Sequence, residues 1–287
     1  TTDVNGDGIS DLMWRDPGNT SLVYWLMNGA TAPNTGTLSV GPAWQVAHVG
    51  DTSGDGRGDI VWINESQLAV STSAGTSFVT TMISNPRPAG LRVVGGGDIN
   101  GDGKSDLVWR NAANTTMTYW LMNNNAVIGT GTISIGPVWT VANVGDINGD
   151  GLADIIWVNG TQVAASLSQG VSFNTVMVGS ALPAGYRAMG GGDINGDGRS
   201  DLVWRNASNT TTLYWLMNGA TVQSTGTLAI GSNWELAFVG DISGDKRADL
   251  VWLNDTQVAA SQSEGTSFAT YIVNRARPAG WRIVNNQ

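Results

Sequence analysis

The chain has 287 residues, of which 41% are hydrophobic and only 13% charged, and its formal net charge is −9 at pH 7. That balance excludes a general nucleic-acid binder, which must neutralise phosphates with clustered Lys and Arg. The absence of cysteine excludes disulfides, thiolate metal sites and a cysteine nucleophile, and no run approaches the roughly 18 apolar residues of a membrane-spanning helix.

The chain opens on Asp3-Val-Asn-Gly-Asp-Gly-Ile-Ser-Asp11, a nine-residue loop with oxygen-bearing side chains at positions 1, 3, 5 and 9 and Gly at 4 and 6. An apolar strand, Leu12-Met-Trp14, follows directly. A second strand carries Tyr24-Trp25, a third is rich in Thr and Ser, and a fourth runs into the next loop at Asp51. The same order recurs from Asp98, Asp146, Asp193 and Asp241, at spacings of 48, 47, 48, 47 and 48 residues. Four short strands in a repeat of roughly 40–50 residues is the size of a β-propeller blade. No stretch reads as a long amphipathic helix, and Gly and Asn punctuate the connections.

The spacing therefore predicts an all-β, six-bladed β-propeller with four antiparallel strands per blade, a single domain over residues 1–287. The ends support that count. Trp281-Arg-Ile-Val284 resembles Leu91-Arg-Val-Val94 and Tyr186-Arg-Ala-Met189, the strands ahead of loops three and five. Residues 281–287 are expected to close the ring as the inner strand of the blade formed by residues 3–41. Closure of this kind removes free sheet edges. No leader precedes the first loop, so a mature or trimmed chain is expected.

A second period lies above the first. Loops one, three and five are 95 residues apart, and their blades carry Trp-Arg followed by Tyr-Trp-Leu-Met-Asn, as at Trp109-Arg110 and Tyr119 to Asn123. Even blades carry Trp, an apolar residue and Asn, then a plain Gln-Leu/Val-Ala strand. Three two-blade units around a pseudo-threefold axis are expected.

Eighteen of the 23 Asp and Glu lie in the six loops. A hard cation such as Ca2+ takes about 6–8 oxygens, and alternating acids on a Gly-rich turn supply them. Six divalent cations add twelve positive charges and would turn −9 into +3, so the acidity reads as ligand supply. The loops resemble the FG-GAP/VCBS repeats of integrin α-subunit propellers and secreted bacterial propellers, over essentially the whole chain. The resemblance implies Ca2+ on up to six sites. The ligands would be Asp3, Asn5, Asp7 and Asp11; Asp51, Ser53, Asp55 and Asp59; Asp98, Asn100, Asp102 and Asp106; Asp146, Asn148, Asp150 and Asp154; Asp193, Asn195, Asp197 and Asp201; and Asp241, Ser243, Asp245 and Asp249. Lys246 replaces Gly at position 6 of the last loop, which makes that site the weakest expected. Repetition in every blade suits a structural staple rather than a catalytic metal.

Trp14, Trp62, Trp109, Trp157, Trp204 and Trp252 follow the loops in all six blades and are expected between sheets. Trp44, Trp139, Trp234 and Trp281 precede inner strands, as partly exposed plugs. Trp25, Trp120 and Trp215 stand opposite Ser71, Ser166 and Ser261 of the even blades, and Met27, Met122 and Met217 opposite Ser73, Ser168 and Ser263. Two readings stay open for the odd-blade set Arg15, Tyr24 and Trp25; Arg110, Tyr119 and Trp120; Arg205, Tyr214 and Trp215. It forms three sugar sites, with an indole stacked on a pyranose, or it is a second packing solution with Arg on Trp. Trp44, Trp139 and Trp234 join the candidate ligand residues.

Enzymatic chemistry has few residues to work with. Outside the loops only Asp16, Glu65, Glu235, Asp255 and Glu264 remain as carboxylates, and His48 is the sole histidine. The expected function is a secreted or cell-surface recognition module for glycans, with binding of extracellular proteins as the first alternative and polysaccharide cleavage as the second. The oligomeric state is left open.

Overall fold

The computed structural model describes residues 2–284. They form 24 strands and no helix, arranged as six four-stranded antiparallel sheets. Blade 1 is built from β24 (Arg282–Ile283), β1 (Leu12–Arg15), β2 (Ser21–Asn28) and β3 (Thr31–Ser39), in that order. Blade 2 follows with β4 (Gln45–Gly50), β5 (Asp59–Ile63), β6 (Leu68–Ser73) and β7 (Phe78–Ile83). Blade 3 holds β8 (Leu91–Gly97), β9 (Asp106–Asn111), β10 (Met117–Asn123) and β11 (Ala126–Ile133). Blade 4 holds β12 (Thr140–Gly145), β13 (Asp154–Asn159), β14 (Gln162–Ser168) and β15 (Phe173–Met177). Blade 5 holds β16 (Tyr186–Gly192), β17 (Asp201–Asn206), β18 (Thr211–Asn218) and β19 (Thr221–Ala229). Blade 6 holds β20 (Glu235–Gly240), β21 (Asp249–Leu253), β22 (Val258–Ser263) and β23 (Phe268–Ile272).

The ring closes as the repeat count predicts. β24 pairs with β1 through Trp14 opposite Ile283 and Arg15 opposite Arg282, and the Val284 N–H bonds the Met13 carbonyl at 2.9 Å. Residues 285–287, the end of the predicted closing strand, lie outside the described residues. β4, β8, β12, β16 and β20 touch in sequence around the axis. These five inner strands each carry a one-residue register shift, for instance between Val93 and Gly95, which sharpens the local twist.

The core lies between blades rather than in one central mass. Leu12, Trp14, Trp25 and Met27 of blade 1 pack on Val251 and Ala260 of blade 6, while Met13, Leu22 and Tyr24 pack on Ile60, Trp62 and Ala69 of blade 2. Alternate residues of one strand thus serve opposite seams, as the two-residue period of a strand requires. All six post-loop tryptophans are at most 2% exposed.

Five loops leave the C-terminal end of an inner strand, and the first runs into β1 as the others run into the second strands of their blades, so all six gather on one face of the ring. The opposite face carries the β-hairpins between the second and third strands of each blade and the starts of the inner strands.

Candidate functional site

Each loop is a turn bonded to its own first carboxylate. Asp3 accepts from the N–H groups of Gly6 (2.7 Å), Asp7 (3.2 Å) and Gly8 (2.7 Å). Gly6 and Gly8 hold φ at +79° and +84°, a left-handed conformation that favours glycine. Lys246 takes the same position at φ +68° and donates its N–H to Asp241 at 2.7 Å. The turn is therefore kept in the sixth loop, with a side chain held in the strained region.

The ninth position faces the other way. Asp11 is fully buried and accepts from the N–H groups of Val4 (2.8 Å) and Met27 (2.9 Å). The other five blades repeat the bridge: Thr52 and Ser73 on Asp59, Ile99 and Met122 on Asp106, Ile147 and Ser168 on Asp154, Ile194 and Met217 on Asp201, Ile242 and Ser263 on Asp249. Burial pushes Asp11, Asp106, Asp154, Asp201 and Asp249 up to about 7, and raises Asp59 as well. Backbone N–H bonds oppose the rise, and loop carboxylates such as Asp3 and Asp7 beside Asp11 add to it.

Among the described residues, no group of three or more His, Cys, Asp or Glu stands arranged to hold a metal ion. The first and ninth carboxylates are turned to different backbone partners. The donor chemistry nevertheless fits a hard cation, because the groups on the turn are all oxygens and their like charges press on one buried acid. One feature was missed from the sequence. Arg57 pairs with Asp55 at 2.8 Å, Arg199 with Asp197 at 3.3 Å and Arg247 with Asp245 at 2.6 Å. Loops two, five and six thus carry a cationic side chain against their fifth-position acid. An Arg two residues after that Asp was the signal.

The structure turns the odd-blade set inward, which corrects the reading of it as three sugar platforms. Trp25, Trp120 and Trp215 are 2%, 7% and 2% exposed. They lie against Trp14, Trp109 and Trp204, with ring centroids 4.8, 4.9 and 5.2 Å apart, and no indole face is left for a ligand. In even blades the same space holds Ser71, Ser166 and Ser261, which accept from the Nε1 of Trp62, Trp157 and Trp252 at 2.8 Å. Odd blades fill the volume with a second indole and leave Nε1 of Trp14, Trp109 and Trp204 buried without a partner. Met27, Met122 and Met217 are likewise buried.

Arg15, Arg110 and Arg205 are at most 1% exposed. Their guanidinium groups lie 5.3, 5.1 and 4.9 Å from the ring centroids of Trp62, Trp157 and Trp252 in the following even blade. Tyr24, Tyr119 and Tyr214 are also buried, and their hydroxyls donate to the carbonyls of Thr76 (2.9 Å), Val171 (2.9 Å) and Thr266 (2.7 Å). The Arg–Tyr pair seals each odd-to-even seam. Burial leaves neither side chain a surface to offer a sugar in this structure.

Trp44, Trp139 and Trp234 remain half-buried on the face away from the loops, backed by the clusters of the neighbouring seams. His48 is buried, and its Nε2 lies 2.7 Å from Ser105 Oγ. Burial pushes it down to about 3, so it is neutral in the folded ring and fills a seam against Gly96.

Two cavities open toward the Trp-bearing face. One of about 590 Å³ is the axial channel, lined by β8, β12, β16, β20 and β24. The other, of about 890 Å³, spans blades 2 to 4. Its polar residues include Gln45, Asn64, Ser66, Asn114 and Thr140, and Val46, Ala47, Val93 and Val141 supply apolar surface. Sequence reasoning did not find this cleft, because its residues come from separate segments of three blades.

Six sheets with one oxygen-rich turn at the same corner of each define a repeat β-propeller. The chain belongs to the FG-GAP-like repeat family, whose model matches residues 3–62, 51–109, 98–157 and 193–252. No curated protein matches the chain. Among solved structures, the fold is similar to an Agrocybe aegerita lectin described as recognising non-reducing terminal N-acetylglucosamine. The two share 18% identity over 94% of this chain and 91% of that one, with a TM-score of 0.58. It is also similar to a putative 6-phosphogluconolactonase from Bacteroides uniformis, at 11% identity, 94% and 82% coverage and a TM-score of 0.58. A Photorhabdus luminescens Tc holotoxin matches at 16% identity and a TM-score of 0.53, over 94% of this chain and 14% of that one. At such identities the likeness shows the fold alone.

Proposed function

We propose that this protein is a calcium-stabilised recognition propeller that binds carbohydrate on the face away from its loops, outside the cell or at its surface. The observation that carries the reading is the cleft of about 890 Å³, where Gln45, Asn64, Ser66, Asn114 and Thr140 offer hydroxyl and amide partners beside Val93 and Val141. A preformed site of that size with a few polar groups suits a small hydroxyl-rich ligand. The lectin similarity is consistent with the reading, since the same architecture serves glycan recognition there.

Ca2+ is the cation the loop oxygens suit. Loops one, three and four, with Ile9, Lys104 and Leu152 at the seventh position, carry no Arg–Asp pair among the described residues and are the stronger candidate sites. The cation would hold the turn and offset its like charges, which is a structural role.

A protein partner is the second reading. It rests on apolar side chains exposed along the outer strands of even blades, including Val79, Met82, Met177, Tyr271 and Ile272. A glycan array probed with and without Ca2+ separates the two. Glycan signal that depends on Ca2+ supports carbohydrate recognition, and a blank array with folded, Ca2+-loaded protein overturns it.

A further inference from the structure

The face away from the loops carries three arginines in equivalent repeat positions. Arg92, Arg187 and Arg282 sit at the starts of β8, β16 and β24. Arg92 precedes Asp98 by six residues, roughly 20 Å along a strand, so the positive groups stand at the far end of the inner strands from the acidic loops. Two of the three have a side-chain partner. Arg187 Nη2 donates to Asn209 Oδ1 at 2.8 Å and Arg282 Nη2 to Asn19 Oδ1 at 2.9 Å. The counterpart beside Arg92 is Asn114, and no hydrogen bond joins them among the described residues. Arg92 is exposed, and it lines the cleft of about 890 Å³.

The rest of that cleft has the same imbalance. Arg87, Arg92 and Arg110 line it against one carboxylate, that of Glu65. Every ion pair among the described residues lies on the loops, so none of these three arginines is paired with an acid. Arg87 is fixed as a wall by the carbonyls of Asn64 (2.9 Å) and Leu91 (3.1 Å). Arg110 is 1% exposed; its Nη2 donates to the carbonyls of Asn114 (2.8 Å) and Gly136 (3.4 Å), while its Nε and Nη1, beside the Trp157 ring, have no hydrogen-bond partner, as at Arg15. A buried charge without a counter-ion is costly, and burial together with the Arg92 charge weighs against it here. An anion seated beside Arg92 would relieve both.

We propose that the cleft takes an acidic saccharide, with a uronic-acid carboxylate against Arg92 over the buried Arg110 and the sugar hydroxyls on Asn64, Ser66 and Gln45. The proposal rests on the carbohydrate reading above and adds the charge of the ligand to it. Guanidinium–carboxylate hydrogen bonds are charge-assisted and stronger than neutral ones, whereas Glu65 would oppose a second charge nearby.

The test is calorimetric titration of the Ca2+-loaded chain with a uronic-acid tetrasaccharide and with its carboxyl-reduced neutral counterpart. Wild type, Arg92→Ala and Arg187→Ala are compared. Arg92 is exposed and unbonded, so its replacement should leave the melting temperature unchanged. The expected result is preference for the acidic probe, an affinity loss of about tenfold in Arg92→Ala, and no change in Arg187→Ala. Equal binding of both probes by wild type and Arg92→Ala overturns the acidic ligand and leaves carbohydrate recognition standing. Binding of neither probe overturns the acidic saccharide, and the glycan array then decides the broader reading. Equal binding of a single-stranded DNA oligomer overturns the saccharide in favour of a generic polyanion.

Discussion

Replacing Trp215 by Ser tests whether the odd-blade indoles are packing or binding elements. Trp215 is 2% exposed and lies against Trp204 and against Ile156 and Ala165 of blade 4. Truncating a buried Trp costs about 3–5 kcal/mol. Part of that returns, because a serine there can accept from Trp204 Nε1, now unpartnered, as Ser261 does from Trp252 at 2.8 Å; such a bond contributes about 1 kcal/mol. The net loss is about 2–4 kcal/mol, and a ring of this size shifts by roughly 2 °C per kcal/mol. Differential scanning calorimetry in saturating Ca2+ should therefore show Trp215→Ser melting about 4–8 °C below wild type, with glycan affinity unchanged. Trp25→Ser should lose more, since Arg275 also lies 5.6 Å above the Trp25 ring and a cation–π contact adds about 0.5–1 kcal/mol. An unchanged melt with glycan binding abolished would refute the packing account and restore these indoles as ligand platforms.

Chelation should destabilise the ring strongly: with about 1 mM Ca2+ and dissociation constants of about 10 µM, each occupied loop contributes about 2.7 kcal/mol. A melt that EDTA leaves unchanged would remove calcium from the account. In the sixth loop, Lys246→Gly relieves a left-handed non-glycine residue at φ +68° worth about 1 kcal/mol, so it should raise the melting temperature by roughly 2 °C and tighten Ca2+ there. His48→Asn adopts the side chain of the equivalent Asn143. His48 titrates near 3 when folded and 6.5 when unfolded, so its stability is whole above pH 6.5 and is lost as pH falls toward 3, at up to about 1.4 kcal/mol per pH unit. Wild type should therefore lose of order 2 kcal/mol more than His48→Asn between about pH 6 and 4 in denaturant titrations, and parallel curves would refute the neutral buried histidine.

The ring itself was legible because its signal is periodic. Six loops at 47–48 residues leave little room for another architecture, and the similarity of Trp281–Val284 to earlier inner strands predicted the closing pair. The odd–even difference was equally visible, but its meaning was not. Ser against Trp at one position reports a change of volume, and does not say which seam that volume lies in. A cross-strand signal did exist. Gly36, Gly131 and Gly226 stand opposite Tyr24, Tyr119 and Tyr214 in the ladders of β2–β3, β10–β11 and β18–β19. A Cβ at Gly36 would fall 2.0 Å from the Tyr24 ring, so the tyrosine lies flat across β3, the outermost strand of the blade, instead of standing out. The cleft was illegible for a different reason: Gln45, Asn64, Arg92 and Thr140 meet only because β4, β8 and β12 are neighbours about the axis.

The seams come in two grades. Each odd-to-even seam has a tyrosine hydroxyl on a carbonyl and an arginine over a tryptophan. Among the described residues the even-to-odd seams have no such tyrosine bond, and only the one at ring closure has an arginine over a tryptophan, Arg275 over Trp25. The molecule thus alternates two kinds of joint, three sealed by the Tyr and Arg contacts and three in which the second indole of an odd blade packs on the preceding even blade. The cleft of about 890 Å³ reaches across one such joint, between blades 2 and 3. A ligand seated there would touch both blades at once and so add contacts across a joint that carries no arginine–tryptophan pair among the described residues.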